Sequence, residues 1–186
     1  MTANTSLIPA SFPIPRQGKI SLIVSPRSLL DSLTAMLATL SLRGKVLVID
    51  GGNLFDGYGL ARALRQQTHH VQETLNNIQL SRAFTCFQLT SLLEKLPSQD
   101  KPVVIFDLLS TFLDEAVAFN KRYSLLANSL GQLQRISALS PVAVWVRVRT
   151  EPTAESEQLL TPVMAVAHDI WQFQLQAPAA SQLSFF

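Results

Sequence analysis

The chain has 186 residues, of which 47% are apolar and only 15% are charged, so it can bury a substantial core under a thinly charged surface. The net charge of +2 argues against an extended polyanion-binding track. The single cysteine, Cys86, excludes an internal disulfide framework. No apolar run reaches the roughly 18–20 residues that cross a bilayer, and no signal-peptide pattern opens the sequence. We therefore expect a soluble protein of the reducing cytoplasm, with association to the nucleoid left open.

Residues 1–18 contain three prolines and predict an extended N-terminal arm. A core of residues 19–176 follows, in which short apolar runs alternate with helical patterns. Five strands are predicted in chain order, at Ile20–Val24, Val46–Ile49, Ile78–Ser81, Val103–Phe106 and Val142–Val148. Apolar spacings of three and four residues predict five helices between them, over Leu29–Leu40, Leu60–Gln67, Val71–Leu75, Leu89–Leu96 and Leu113–Leu133, the last with an interruption near Phe119–Asn120.

The C-terminal part is less regular. Residues 150–162 are polar and predict a loop, and a helical turn and a strand are expected within Val163–Leu175. Residues 177–186 form a flexible tail. The alternation of strands and helices predicts an α/β fold, with an open, mostly parallel, twisted sheet and helices on both faces.

The junction between the first strand and the first helix lacks an expected motif. A phosphate-binding loop of the form G-x-x-x-x-G-K-[ST] belongs there in nucleotide-binding α/β proteins. The chain instead has Ser25, Pro26, Arg27 and Ser28, with neither glycine nor lysine. Pro26 has no backbone N–H to give to a phosphate, so this segment predicts a degenerate phosphate loop.

Three blocks in order resemble the RecA-like recombinase family, and are most similar to its archaeal and eukaryotic branch. They are GKVLVIDGGNLF at Gly44–Phe55, IQLSRAFT at Ile78–Thr85, and VVIFD at Val103–Asp107, the last resembling the Walker B strand. The match covers roughly residues 17–149. It implies a RecA-like fold with its nucleotide site at the carboxyl ends of the strands.

When the family's motif residues are matched one by one to this chain, most of the groups needed for ATP hydrolysis are missing. The water-activating glutamate of the family falls on Gly52, and its phosphate-sensing glutamine falls on Arg147. Asp107 remains as a relic of the Walker B acid, and Asp50 as a relic acid at the end of its strand. Phosphoryl transfer needs a phosphate cradle, a lysine and a metal ligand together, so we expect no ATP hydrolysis, no bound cofactor and no metal.

The last five residues, Gln182, Leu183, Ser184, Phe185 and Phe186, resemble the bacterial sliding-clamp-binding pentapeptide Q-L-[SD]-L-F, with Phe185 in place of the second leucine. In such motifs apolar side chains fill a pre-formed pocket and the glutamine adds hydrogen bonds. Packing of the tail on its own domain, or binding of another partner, are the alternatives.

Five basic residues, Arg27, Arg43, Lys45, Arg62 and Arg65, are either scattered surface charge or a weak contact to DNA or protein. Taken together, the sequence predicts a non-catalytic RecA-fold adaptor in DNA repair or recombination. Its core binds a repair protein, its tail binds the sliding clamp, and any DNA contact is weak or indirect. The alternative is a regulatory inhibitor similar to the cell-division inhibitor SulA, which has this fold without a phosphate loop. A residual ATPase with an unorthodox loop is a third hypothesis.

Overall fold

The computed structural model describes residues 11–97, 99–149 and 151–173. Its centre is a six-stranded sheet in which every pair of neighbouring strands is parallel. The spatial order is β3-β2-β4-β5-β1-β6. The strands are β1 (Ile20–Ser25), β2 (Val46–Asp50), β3 (Ile78–Arg82), β4 (Val103–Phe106), β5 (Val142–Arg147) and β6 (Asp169–Gln172).

Helices cover both faces of the sheet. On one face lie α1 (Leu30–Ser41), α2 (Gly57–Arg65) and α3 (Val71–Leu75). On the other lie α4 (Cys86–Lys95), α5 (Phe119–Ser137) and α6 (Ala154–Val166). The expected α/β fold, an open parallel sheet with helices on both faces, is confirmed. Within the described ranges, no helix is long and apolar enough to cross a membrane.

The strand sequences fit this three-layer arrangement because both faces of the sheet are buried. In β1, Ile20, Leu22 and Val24 point into the core under α4, α5 and α6. Ile23, between them, points into the core under α1, α2 and α3. All residues of β1 are buried, which explains why four of its six residues are apolar and none is charged.

The loop expected at residues 150–162 is wrong, because α6 begins at Ala154. Thr153 and Ser156 form a reciprocal capping box, in which each side chain accepts a hydrogen bond from the other's backbone N–H. Leu159 and Val163, four residues apart, are both buried and fasten the helix to the core. Pro162 lies inside the helix. The polar composition that predicts a loop also fits a solvent-facing helix, since only Leu159 is buried among residues 154–162.

The start of the fifth predicted helix is also wrong. Leu108–Leu113 form a 3₁₀ turn, and α5 begins at Phe119, so neither Leu113 nor Val117 belongs to it. The Asp114 side chain accepts the backbone N–H of Ala116, which favours a turn over a continuous helix. From Phe119 onward α5 runs to Ser137 as a single helix.

The described end of the N-terminal arm packs on the core. Phe12 is 2% exposed and donates its N–H to the carbonyl of Ser32 in α1. Its ring lies 5.3 Å from that of Phe173, which follows β6. Residues 11–15 therefore join the α1 layer through an aromatic contact.

Candidate functional site

The parallel sheet brings the sequence-predicted site residues to one edge. Ser25 ends β1 opposite Arg147 of β5, and Asp50 ends β2 opposite Phe106 of β4. Asp107 follows β4 directly. The carboxyl edge of an open parallel sheet is where such folds bind ligands, so the residues predicted to form the degenerate nucleotide site do lie together.

The junction between β1 and α1 is closed by core packing. Ser25 is fully buried, and its Oγ accepts a hydrogen bond of 2.8 Å from the indole Nε1 of Trp145. Pro26 is buried as well, and a single 3₁₀ turn, Arg27–Leu29, leads into α1. Leu29 is 4% exposed and packs in the core beneath α1. The segment therefore has one residue between strand and turn, and this short connection forms no loop around an anion.

Asp50 holds a loop. It is 1% exposed, and its two carboxylate oxygens accept the backbone N–H groups of Leu54 at 3.0 Å and Phe55 at 2.9 Å. The Nε of Arg82 lies 3.5 Å from Oδ2. The carboxylate is thus satisfied by the protein itself and fixes the path of residues 51–56.

Asp107 is buried and strained. Its backbone has φ 49°, in the left-handed region, and its side chain is 4% exposed. Oδ1 accepts the backbone N–H of Arg147 at 3.3 Å. The guanidinium Nε of Arg147 lies 3.1 Å from Oδ2 but its N–H is not aligned with that oxygen, so this contact is Coulombic and not a hydrogen bond. Burial raises the pKa of Asp107 above its ordinary value of 3.8, and this outweighs the lowering by Arg147.

Gly52, where the resemblance places the catalytic glutamate, has no room for a side chain. A Cβ atom at this position would lie 2.7 Å from the Cβ and 2.9 Å from the Oδ2 of Asp107. The Cδ1 of Leu54 would be 3.0 Å away. The space beside Gly52 is therefore filled by Asp107 and Leu54.

Other chemical groups in the described ranges do not add a reactive centre. No cluster of three or more histidine, cysteine or acidic side chains there could hold a metal ion. Cys86 is the first residue of α4, and burial raises the pKa of its thiol above the ordinary value of 9.0. Burial therefore disfavours the reactive thiolate.

A surface that the sequence did not reveal lies at the β3 edge. In the described chain, β3 pairs only with β2, and four of its five residues are exposed. Leu80 on β3 is 38% exposed, and Phe84 and Phe87 beside the start of α4 are 67% and 48% exposed. The Nζ of Lys121 lies 6.0 Å from the Phe87 ring. We call Leu80, Phe84 and Phe87 the β3-edge surface; the apolar residues were visible in the sequence, but the edge position of β3 was not.

Gln182–Phe186, which resemble the clamp-binding motif, lie outside the described residues. Comparison with known proteins identifies no relative: no protein-family model matches the chain, and no curated protein matches it significantly.

Proposed function

We propose that this protein is a non-catalytic RecA-fold adaptor in DNA repair or recombination. It binds a repair protein through its core and the replication sliding clamp through Gln182–Phe186. In this proposal the chain neither hydrolyses nor tightly binds nucleotide. The closed junction at Ser25–Leu29 is the observation that carries it.

The junction supports a lost nucleotide site for a physical reason. A phosphate cradle needs several free backbone N–H groups around one point. Here Pro26 has none, Leu29 is drawn into the core, and the Ser25 hydroxyl is engaged by Trp145. Reopening the loop would leave the indole N–H without its acceptor and expose an apolar side chain, which disfavours a nucleotide-bound form.

The acidic groups support the same proposal. The ion pair between Asp107 and Arg147 places a cation where a Mg²⁺ ligand would have to be free. Asp50 is satisfied by two backbone N–H groups. Both carboxylates therefore face groups of the protein itself, and in this proposal the domain serves to present surfaces.

The β3-edge surface is the described surface best suited to a protein partner. An exposed edge strand offers unpaired backbone groups, and the two phenylalanines beside it offer apolar area. The Nζ of Lys121, 6.0 Å from the centroid of the Phe87 ring, adds a positive charge beside this surface. We assign the repair-protein contact to this surface.

The tail is tested with immobilised bacterial sliding clamp and three chains: intact, lacking Gln182–Phe186, and carrying these five residues in scrambled order. We expect the intact chain to bind, and both altered chains to lose about tenfold or more in affinity with unchanged circular dichroism. Unchanged affinity of the deleted chain refutes clamp docking through the tail. A parallel titration with labelled ATP and Mg²⁺ addresses the residual-ATPase hypothesis, since saturable binding refutes the loss of the nucleotide site.

The inhibitor alternative shares the closed junction and the β3-edge surface but has no use for the tail. Replacing Phe84 and Phe87 by serine separates the two functions. The adaptor keeps its clamp affinity and loses a recombinase or polymerase partner. The inhibitor never binds the clamp and loses a cell-division protein instead.

A further inference from the structure

A second cleft lies at the opposite, amino-terminal edge of the sheet, away from the degenerate nucleotide site. Its volume is about 290 Å³. It is formed where the arm, the α1–β2 turn and the loops before β4 and β5 meet. Its apolar wall contains Ile14 and Leu40, together with Pro102 and Pro141.

Three cations also line this cleft: Arg43, Lys45 and Lys101. Asp100 is the acid among its lining residues. Within the described ranges, no carboxylate forms an ion pair with any of the three cations. The cleft therefore combines an apolar wall with a net positive charge, and it brings together residues from four separate segments of the chain.

The loops that form the cleft are held by the sheet. The carbonyl of Pro102 accepts the N–H of Leu47 at 2.9 Å, and the carbonyl of Pro141 accepts the N–H of Val103 at 2.9 Å. These bonds continue the strand ladders beyond β4 and β5. The cleft is thus fixed before any ligand arrives, which lowers the ordering cost of binding.

We propose that this cleft binds an acidic peptide segment that carries one large apolar anchor residue. The anchor packs against Ile14 and Leu40, and flanking carboxylates pair with Arg43, Lys45 and Lys101. The volume lies just below the roughly 300 Å³ at which pockets for whole small molecules begin, so it suits a single side chain. The lining contains no aromatic ring on which a base could stack, which favours a peptide over single-stranded DNA.

This inference rests on the proposed function, because it takes the partner to be a protein. It deepens that function by giving the chemistry of a second protein contact. Charge complementarity of this kind governs association rate and salt dependence, while the anchor supplies the apolar contribution to affinity.

The experiment uses the full chain and a fluorescein-labelled dodecapeptide with one central phenylalanine flanked by aspartates, read by anisotropy. Three further probes are the same peptide with serine for phenylalanine, the same peptide with asparagines for aspartates, and a labelled oligo-dT. We expect the first peptide to bind best, and its affinity to fall as KCl is raised from 50 to 250 mM. Binding of oligo-dT in preference to the acidic peptide overturns the proposal.

Two double variants with the same change in charge locate the site. Lys45→Glu with Lys101→Glu reverses the charge of two residues in the cleft. Arg62→Glu with Arg65→Glu reverses the charge of two exposed residues on α2. We expect the first to lower peptide affinity about tenfold or more and the second less than about threefold. Equal losses in the two variants refute the cleft as the binding site.

A third variant tests the apolar wall. Ile14→Ser should lower the affinity for the phenylalanine peptide several-fold and leave the affinity for the serine peptide unchanged. An equal effect on both peptides contradicts packing of the anchor residue against this wall. Thermal melts confirm that each variant is folded. Clamp affinity is measured on the same samples, so that loss of the cleft proposal is distinguished from loss of the adaptor proposal.

Discussion

Substitution of Gly52 by alanine tests the close packing between this glycine and Asp107. The added Cβ would lie 2.7 Å from the Cβ of Asp107, whereas carbon atoms in contact prefer about 3.5–4.0 Å. Asp107 has little freedom to retreat. Its carbonyl accepts the N–H of Ser110 at 3.1 Å, and its carboxylate faces Arg147. The loop on the other side is fixed by Asp50.

The expected loss follows from two opposing effects. Overpacking of a rigid site costs about 1–3 kcal/mol of unfolding free energy. Replacing glycine by alanine also restricts the unfolded chain, which returns about 0.4–1 kcal/mol. We therefore expect Gly52→Ala to destabilise the protein by a net ~0–2.6 kcal/mol. Gly52→Glu should cost more and should not restore ATP hydrolysis.

Gly131 provides a matched control. It lies in the interior of α5, is exposed, and has no atom within 4 Å of the position of an added Cβ. Gly131→Ala should stabilise the protein by about 1 kcal/mol through helix propensity alone. Equilibrium urea unfolding measures both variants, with an unchanged denaturant slope as the check on two-state behaviour. A Gly52→Ala protein that is stabilised as much as the Gly131→Ala protein refutes the reasoning.

Two further predictions concern the same edge of the sheet. Ser25→Ala should lower the free energy of unfolding by about 1–3 kcal/mol, because the indole N–H of Trp145 loses its buried acceptor. The control Ser28→Ala changes an exposed residue nearby and should alter that free energy by no more than about 0.5 kcal/mol. Equal effects of the two substitutions in urea unfolding contradict the closed junction. Because the folded protein raises the pKa of Asp107, it binds a proton there that the unfolded chain has lost, so stability falls as pH rises from 3.8 through the raised pKa. Asp107→Asn should flatten this part of the stability–pH curve. Asp50→Asn disturbs the acceptors of two backbone N–H groups and should lower the free energy of unfolding by about 1–3 kcal/mol at neutral pH. An unchanged curve in Asp107→Asn contradicts the assignment.

Local sequence was most informative where both faces of an element are buried. All five predicted strands exist within a residue or two of their predicted bounds. Four of them, β1, β2, β4 and β5, are covered on both faces and are therefore mostly apolar, whereas β3 is largely exposed. The absence of a phosphate-loop motif could also be read from the sequence, because phosphate binding by such a loop depends on the identity of consecutive residues such as Pro26. The helix at Ala154–Val166 was missed because the polar residues at its start are as typical of a loop as of a solvent-facing helix, and its capping box consists of two ordinary hydroxyl residues.

The sequence by itself determined which segments are strands, which fold class they form, and that Ser25–Ser28 lacks a phosphate loop. Only the tertiary structure decided that β3 is an edge strand, that Trp145 closes the junction through Ser25, and that Arg43, Lys45 and Lys101 meet at one cleft. The physical reason is that hydrophobic periodicity is a local property of the chain. Strand order and the meeting of distant loops depend on long-range pairing, which local periodicity does not encode.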